Sequence, residues 1–312
     1  MVMLKREWSK PSTILFATEC PANGKAFTFA LAQAKESDAN LVVFHVCSER
    51  SRALLPATSS AAPSLQGAFE DLAQHARELN VPCDIEVCEG VAAEEILSFL
   101  RRRKVDRIVI GVHTPGPIGK RLVGSVAEIL LRRADVPVTV VGPYVKEGTY
   151  RDFLTRTVLC SISEDRPSRT VARFAAEIAA RHGAQLVIHR AIAPQDCPHA
   201  LAYRTVDQME SDLLEMIPVK VRGKIGVRSL VTLGDPTEEL LYQGRVFQAD
   251  LIVMGAHRAT RFAAMTNADS VYKVLAYAHC PVLTLSPLVL ADYGPSSEIV
   301  PPESANYLAG VV

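Results

Sequence analysis

The chain has 312 residues, of which 48% are hydrophobic and 22% charged, a composition typical of a globular protein with two domains. Its 34 Lys and Arg residues balance 34 Asp and Glu residues, so the net charge does not favour nucleic acid or an acidic membrane surface as a partner. No apolar stretch approaches the roughly 20 residues of a membrane span, and residues 1–10 lack the apolar centre of a signal peptide. Seven cysteines without a zinc spacing favour reduced thiols, so we expect a cytoplasmic protein.

The first half of the chain alternates short apolar strands with amphipathic helices. Strands are predicted at Ile14–Thr18 and residues 41–46. Between them, apolar residues recur at the i, i+3, i+4 and i+7 spacing of a buried helix face, namely Phe27, Ala30, Leu31 and Ala34. Two later strands are predicted at 105–111 and 136–141, with a helix that begins at Ser125 between them.

The second half repeats this pattern at a nearly constant distance along the chain. Residues 158–162 follow residues 14–18 by 144 positions, and residues 249–255 follow residues 105–111 by the same offset. The helix face recurs too, as Val171, Phe174, Ala175 and Ile178. An offset that holds across strands, helices and turns indicates a duplicated domain, and it is far too long for a solenoid unit.

Each half is expected to fold as β-α-β-α-β-α-β-α-β. Because its strands are uninterrupted apolar runs, they suit a parallel sheet that is covered on both faces. We therefore predict an α/β fold of two tandem Rossmann-like domains (adenine nucleotide alpha hydrolase-like), each a five-stranded parallel sheet with helices on both faces. The predicted boundaries are residues 11–145 for domain 1 and 155–287 for domain 2. Periodicity is lost after that, so a flexible tail is predicted over residues 288–312.

A glycine-rich loop follows the fourth predicted strand of domain 1 and leads into the helix at Ser125. Its glycines are Gly111, Gly116, Gly119 and Gly124. Glycines let backbone N–H groups approach an anion closely, and a helix N-terminus adds unpaired donors and the positive end of a dipole. Lys120 and Arg121 could supply charge nearby. Ligands of open parallel sheets bind beyond the carboxyl ends of the strands, so the loop predicts a polyphosphate site.

This segment resembles the nucleotide loop of the universal stress protein family, whose pattern is Gly, two residues, Gly, nine residues, Gly and then Ser or Thr. The residues that fit the pattern are Gly111, Gly124 and Ser125. Thr114 stands where the second Gly belongs. The resemblance covers roughly residues 12–143 and, more faintly, residues 156–286.

The resemblance implies ATP as the ligand of domain 1, with Mg²⁺ as an accompanying ion. Glu19 stands where the family usually has an Asp near the ribose and adenine. Other residues would line the adenine or surround the phosphates. The implied nucleotide-binding set is Thr18, Glu19, Val46, Ile110, Gly111, Thr114, Gly116, Gly119, Gly124, Ser125 and Val126.

The corresponding segment of domain 2 has lost this pattern. Ala268 and Asp269 stand at the positions of Gly124 and Ser125, and Ser163 replaces Glu19. A carboxylate at a helix start suits the helix but repels a phosphate. We therefore predict that domain 2 holds no cofactor.

Several of the singled-out residues also have a purely structural explanation. Ser125 and Glu128 have the spacing of a capping box, and Gly124 could serve close helix–strand packing alone. His113 recurs as His257, which suits a strand-end histidine bonded to its own loop better than a catalytic one. The sequence contains neither a Gly-x-Ser-x-Gly elbow nor a Walker A loop, so no catalytic residue is assigned and enzymatic activity stays an open question.

The leading hypothesis is a stress-response or regulatory protein that binds ATP in domain 1. The first alternative is an interaction scaffold of the same fold that binds no nucleotide. A slow nucleotide hydrolase comes last, because no general base is evident. The family resemblance further implies that domains pair through their last strands, residues 136–141 and 281–285. The two halves would then form an internal pseudo-dimer, and two chains could form a homodimer through the same strands.

Overall fold

A computed structural model describes residues 9–19, 24–47, 65–112, 123–146, 155–163, 167–202, 204–256 and 270–293. Domain 1 alternates strands and helices as the sequence predicts. Its strands are β1 (Thr13–Thr18), β2 (Asn40–Cys47), β3 (Cys83–Glu89), β4 (Arg107–Gly111) and β5 (Val138–Val141). Its helices are α1 (Gly24–Ser37), α2 (Leu65–Glu78), α3 (Ala92–Arg102) and α4 (Ser125–Arg133).

Domain 2 repeats the five strands but carries additional short helices. Its strands are β6 (Thr157–Ser161), β7 (Gln185–Ile192), β8 (Val227–Leu233), β9 (Leu251–Gly255) and β10 (Val282–Leu285). Its helices are α5 (Pro167–His182), α6 (Cys197–Leu201), α7 (Val206–Glu215), α8 (Val219–Arg222), α9 (Pro236–Val246), α10 (Ser270–Tyr277) and α11 (Pro287–Tyr293). The prediction of one helix between β7 and β8 is wrong, because α6, α7 and α8 lie there. At least α7 has a start signal of its own, since Thr205 and Gln208 form a capping box.

The tail predicted from residue 288 begins with a helix, so that prediction is wrong for residues 288–293. The hydroxyl of Ser286 caps α11 and accepts a hydrogen bond from the backbone N–H of Val289 at 3.3 Å. Val289 is fully buried, and the ring of Tyr293 packs edge-on against α5. A single apolar turn of this kind is too short to show a helical period in the sequence.

All ten strands form one sheet, in the order β3-β2-β1-β4-β5-β10-β9-β6-β7-β8. Neighbouring strands within each domain are parallel, whereas β5 and β10 are antiparallel. This confirms the predicted α/β fold of two tandem Rossmann-like domains with helices on both faces. Among the helices of the described ranges, none is long and apolar enough to cross a bilayer.

The hydrophobic core lies between the sheet and its helices. The centres of β1 and β6, residues 14–16 and 158–160, are completely buried. Both helix faces predicted from the sequence are buried as well, on α1 and on α5. The apolar spacing in the sequence therefore identifies the buried faces correctly in both domains.

An aspartate ties the starts of two strands together in each domain. Asp106 Oδ2 accepts hydrogen bonds from the backbone N–H groups of residues 12–13, at 2.8 and 3.1 Å. Asp250, its equivalent in the repeat, accepts from residues 156–157, at 2.8 and 3.0 Å. These bonds fix β1 against β4, and β6 against β9, and so fix where the carboxyl ends of these strands meet.

β5 and β10 meet around a pseudo-two-fold axis. Val138–Val140 runs opposite Val282–Thr284 in reverse order, with Thr139 facing Leu283. Thr139 and Leu283 are equivalent positions of the repeat, as a two-fold axis between them requires. The internal pairing predicted for the last strands is therefore confirmed, while pairing between two chains stays a prediction.

The side chains of this interdomain interface break the symmetry. Ser286 donates its hydroxyl to the backbone carbonyl of Ala134 at 2.7 Å. Its equivalent in domain 1 is Gly142, where a Cβ would lie 2.8 Å from the backbone oxygen of Leu275. One side of the axis thus carries a hydrogen bond and the other a close backbone approach that only glycine permits.

A side-chain contact between α1 and α5 is asymmetric too. Glu36 Oε1 pairs with His182 Nδ1, and both side chains are largely buried. The repeat places Ala180 at the position of Glu36 and Asp38 at that of His182. A pair of two domain 1 copies would therefore bring carboxylates together, and a pair of two domain 2 copies would lack the acid. The contact favours pairing of domain 1 with domain 2.

Replacing Gly142 with Ala is expected to lower the free energy of unfolding of the full chain by about 1–3 kcal/mol, because the new methyl group overpacks the interface. Urea denaturation measures the change. The matched control is Gly24→Ala at the start of α1, since a Cβ there meets no atom of the described residues within 4 Å, and its effect should stay within about 0.5 kcal/mol. Equal losses for the two variants would contradict the close approach at Gly142.

His189 is expected to make domain 2 sensitive to acid. Burial lowers the pKa of His189 from 6.5 to about 4. Between pH 6.5 and about 4, His189 is protonated in the unfolded chain but stays neutral in the folded chain. The free energy of unfolding should therefore fall as the pH falls through this range, by about 3 kcal/mol in total. His189→Phe copies Phe44, the equivalent residue of domain 1, and should flatten this dependence. Urea denaturation of the parent chain and of His189→Phe at pH 7 and pH 4.5 measures the change. An equal loss of unfolding free energy in both proteins between these pH values would rule the effect out.

Candidate functional site

The carboxyl ends of β1, β2 and β4 meet at one edge of the domain 1 sheet. β1 lies between the other two, with Thr18 opposite His45 and Ala17 opposite Ile110. The winding of the chain reverses between β1 and β4, and such a switch point is where open α/β sheets bind ligands. Five residues of the predicted site come together at this edge: Thr18, Glu19, Val46, Ile110 and Gly111.

His45 joins the ends of β1 and β2. Its Nδ1 lies 2.9 Å from the carbonyl oxygen of Thr18. Because a carbonyl only accepts, Nδ1 carries the proton and donates it. The ring is only 5% exposed and packs on Phe69 with 5.4 Å between the ring centroids. His45 therefore positions the strand ends, a role that the sequence pattern did not reveal and that the register of β1 against β2 explains.

Gly124 has neither a conformational nor a packing reason to be glycine. It is the N-cap of α4 with φ −65° and ψ 156°, which any residue can adopt. A Cβ built on it would meet no atom of the described residues within 4 Å. The alternative that Gly124 serves close helix–strand packing therefore has no support. The space beside the residue is open to an approaching ligand.

α4 begins at Ser125, as predicted, but the capping box predicted for Ser125 and Glu128 is wrong. Gly124 is the N-cap, and no side-chain cap of α4 is formed by the residues that the structure describes. Glu128 turns instead towards Arg132, with 3.7 Å between Oε1 and Nη2. In the described part of the chain, the first N–H groups of α4 thus have no side-chain acceptor, and they can bind an anion.

The start of α4 lies at the same edge as the ends of β1 and β2. α4 begins beyond the end of β4 and returns to the start of β5, which runs parallel to β4 with Gly111 opposite Val141. The topology therefore brings Gly124, Ser125 and Val126 to the edge where the first group of residues lies. The remaining predicted residues, Thr114, Gly116 and Gly119, lie outside the described residues, as do His113, Lys120 and Arg121.

The equivalent edge of domain 2 contains a cavity of about 320 Å³. The ends of β6, β7 and β9 line it, together with the first turns of α5 and the short helix α6. Its charged or titratable lining residues are Arg190, Asp196 and His199. None of the three is predicted from the sequence, although the repeat places Arg190 at the position of His45. Asp196 and His199 lie in the additional segment between β7 and β8, for which the repeat offers no guide.

A resident metal centre finds no support in the described ranges. There, no group of three or more His, Cys, Asp and Glu side chains could hold a metal ion. A Mg²⁺ ion that accompanies ATP is bound mainly by phosphate oxygens and water, and therefore does not require such a group.

Comparison with known proteins gives a consistent result. Residues 11–142 and residues 155–286 each match the model of the universal stress protein family. A universal stress protein of Methanocaldococcus jannaschii is 33% identical over 130 residues, which are 39% of this chain and 76% of that protein. A Pseudomonas aeruginosa PAO1 protein described as functionally unknown has a similar fold, with a TM-score of 0.64 and 17% identity over 92% of this chain and 96% of that one. A universal stress protein solved in complex with cAMP resembles the chain with a TM-score of 0.35 and 18% identity, over 43% of this chain and 98% of that one.

Ser125→Ala is expected to change the free energy of unfolding by less than about 0.5 kcal/mol, because the N-cap of α4 is Gly124 and not Ser125. Thr205→Ala is the matched control, since Thr205 does cap α7 through a complete capping box, and it should cost about 1 kcal/mol. Urea denaturation of the two variants and the parent chain provides the comparison. A loss at Ser125 as large as that at Thr205 would restore the structural explanation for Ser125.

Proposed function

Because this chain belongs to the universal stress protein family, we propose that its first domain binds ATP and that binding regulates how the chain engages partners in a stress response. The phosphates would lie against the start of α4 and the glycine-rich loop before it. The adenine and ribose would lie over the ends of β1, β2 and β4. Mg²⁺ would accompany the phosphates.

The open space beside Gly124 is the observation that carries this proposal. Glycine is a favourable N-cap residue, but serine or aspartate would cap the helix at least as well. The room that the missing Cβ leaves among the described residues suits a ligand that approaches the backbone. The uncapped N-terminus of α4 offers N–H donors and a favourable dipole at the same place. Both features suit a phosphate group.

The opposite end of the site suits a nucleoside. Val46 and Ile110 offer apolar contact to a base, and Gly111 lets the base approach the strand end. Glu19 is exposed directly after β1, where its carboxylate can accept hydrogen bonds from ribose hydroxyls. By sequence position, Thr114, Gly116 and Gly119 would complete the phosphate contacts.

α4 links the proposed site to the interdomain interface and so supports a regulatory role. The helix has nine residues and is roughly 14 Å long. Its start lies at the proposed phosphate site, and Ala134 at its other end accepts the hydrogen bond of Ser286 from domain 2. A ligand that orders the first turn of α4 would therefore act on a helix that touches both domains.

The scaffold alternative is favoured by one exposed aromatic pair. Tyr144 from domain 1 stacks on Tyr277 from domain 2, with 5.9 Å between the ring centroids. The two residues are 52% and 41% exposed. Exposed tyrosines are enriched at protein interfaces, so this pair suits a protein partner whether or not a nucleotide binds.

Gly124→Asp is expected to abolish ATP binding without unfolding the chain, because it places a carboxylate in the open space where a phosphate would lie. Isothermal titration with MgATP measures the affinity, and heat release followed by mass analysis tests the freshly purified protein for bound adenine nucleotide. The parent chain should bind about one ATP, and the variant should bind at least a hundredfold more weakly.

The matched control is Gly226→Asp. It adds the same charge at the start of β8, where a Cβ has ordinary van der Waals room, and it should leave ATP binding unchanged. Absence of ATP binding by the parent chain, with no thermal shift on adding MgATP, would favour the scaffold. Steady phosphate release that Gly124→Asp removes would favour the hydrolase.

A further inference from the structure

β3 is one of the two outer strands of the ten-stranded sheet and pairs with β2 along its whole length. The backbone N–H of Leu41 donates to the carbonyl of Pro82 at 2.8 Å, and that of Gly90 donates to the carbonyl of Cys47 at 3.2 Å. Because successive residues of a strand direct their backbone groups to opposite sides, the even-numbered residues of β3 bond to β2. The backbone groups that point outward, away from the sheet, are those of residues 83, 85, 87 and 89.

Two apolar side chains of β3 are exposed on the face of the sheet that carries α2. Ile85 and Val87 are 37% and 47% exposed. They lie on this face because their partners in β2 are Val43 and His45, and His45 packs on Phe69 of α2. Among the residues that the structure describes, the outward N–H groups of Ile85 and Val87 have no hydrogen-bond partner. An outer strand with these properties is a template for a further strand.

The equivalent outer strand of domain 2, β8, is covered by a helix. Val231 stands at the position of Val87, and its outward N–H donates to Glu210 Oε1 of α7 at 3.0 Å. The Val231 side chain is only 8% exposed, and Met209 and Leu213 of the same helix are buried. The repeat therefore contains a way to close an outer strand. Within the described ranges, that closure is formed at β8 and not at β3.

The charged side chains of β3 are all acidic, and the strand contains no Lys or Arg. On the face opposite α2, Asp84 accepts a hydrogen bond from Asn40 at 3.0 Å, and Glu86 pairs with Arg103 at 3.0 Å. Glu89 adds a third carboxylate at the end of the strand. A second copy of β3 would bring these carboxylates close to their own counterparts, which is unfavourable, whereas a strand with basic side chains would meet opposite charge.

We propose that β3 binds an extended segment of a partner protein, in which apolar and basic residues alternate, as an additional strand of the sheet. The backbone of the segment bonds to the outward groups of residues 83–89. Its apolar side chains cover Ile85 and Val87, and its Lys or Arg side chains lie beside Asp84 and Glu86. The main-chain bonds supply affinity, and the different character of the two faces supplies selectivity. The proposal is independent of ATP binding, because no residue of β3 belongs to the ATP site proposed for domain 1.

The probe is a fluorescein-labelled octapeptide of alternating valine and lysine, and its control has glutamate in place of lysine. Fluorescence anisotropy with the full chain should show that the valine–lysine peptide binds at least tenfold more tightly than the control peptide. Val87→Pro removes an outward donor but no bond to β2, which an outer strand tolerates, and it should weaken binding of the valine–lysine peptide at least tenfold. The matched control is Val87→Ile, which keeps the N–H and an apolar side chain and should bind like the parent chain.

Charge reversal and hydrogen exchange test the two faces and the backbone separately. Asp84→Lys combined with Glu86→Lys should reverse the preference, so that the valine–glutamate peptide binds more tightly. In the parent chain, the valine–lysine peptide should slow amide exchange at Val87 at least fivefold and leave Val231 unchanged, because the Val231 amide is already bonded.

Urea denaturation verifies that each variant folds. The proposal is overturned if the valine–lysine peptide does not bind, if Val87→Pro binds it like the parent chain, or if charge reversal leaves the preference unchanged. It is also overturned if gel filtration shows a dimer of the parent chain that Val87→Pro abolishes, since the occupant of β3 would then be a second copy of this chain. None of these outcomes bears on the titration with MgATP, so the two proposals fail separately.

Discussion

The antiparallel pairing of β5 with β10 is the constraint on which the rest of the architecture depends. It joins two five-stranded sheets into one and removes two exposed edges that would otherwise invite association. Because the pairing is antiparallel, the strands of domain 1 run against those of domain 2. Their carboxyl ends therefore lie at opposite edges of the ten-stranded sheet, and the two candidate sites face away from each other. Neither site can share residues with its counterpart, so each domain must build its site alone.

The duplicated halves have kept some features and changed others, and the difference follows their physical roles. Asp106 and Asp250 make the same hydrogen bonds to the starts of β1 and β6, since a parallel sheet needs its register fixed in both copies. The carboxyl ends of the strands differ more between the two copies. There a histidine has become an arginine, at His45 and Arg190, and the sequence carries alanine and aspartate at the positions that correspond to Gly124 and Ser125.

The sequence predicted most of the fold because its main features depend on periodic burial. The strand runs, the helix faces on α1 and α5 and the 144-residue repeat all reflect which side chains leave water. Three short helices were not predicted, namely α6, α8 and α11. A helix of four to seven residues is too short to show the helical period in its sequence and is stabilised by its neighbours. The capping box at Ser125 was wrong for another reason: the spacing of Ser and Glu permits the bonds, but the backbone placed Gly124 at the cap.

For the candidate site of domain 1, the sequence predicted the carboxyl ends of the strands and the start of α4. The cavity of domain 2 could not be predicted, because it is lined by side chains from six separate segments of the chain. The asymmetric contacts at Gly142, Ser286, Glu36 and His182 have a further consequence. A dimer of separate subunits dissociates on dilution by mass action, but two domains on one chain meet at an effective concentration that dilution does not alter. The fused pair can therefore keep its shape at the lowest cellular abundance, and each half is free to diverge without having to match an identical partner.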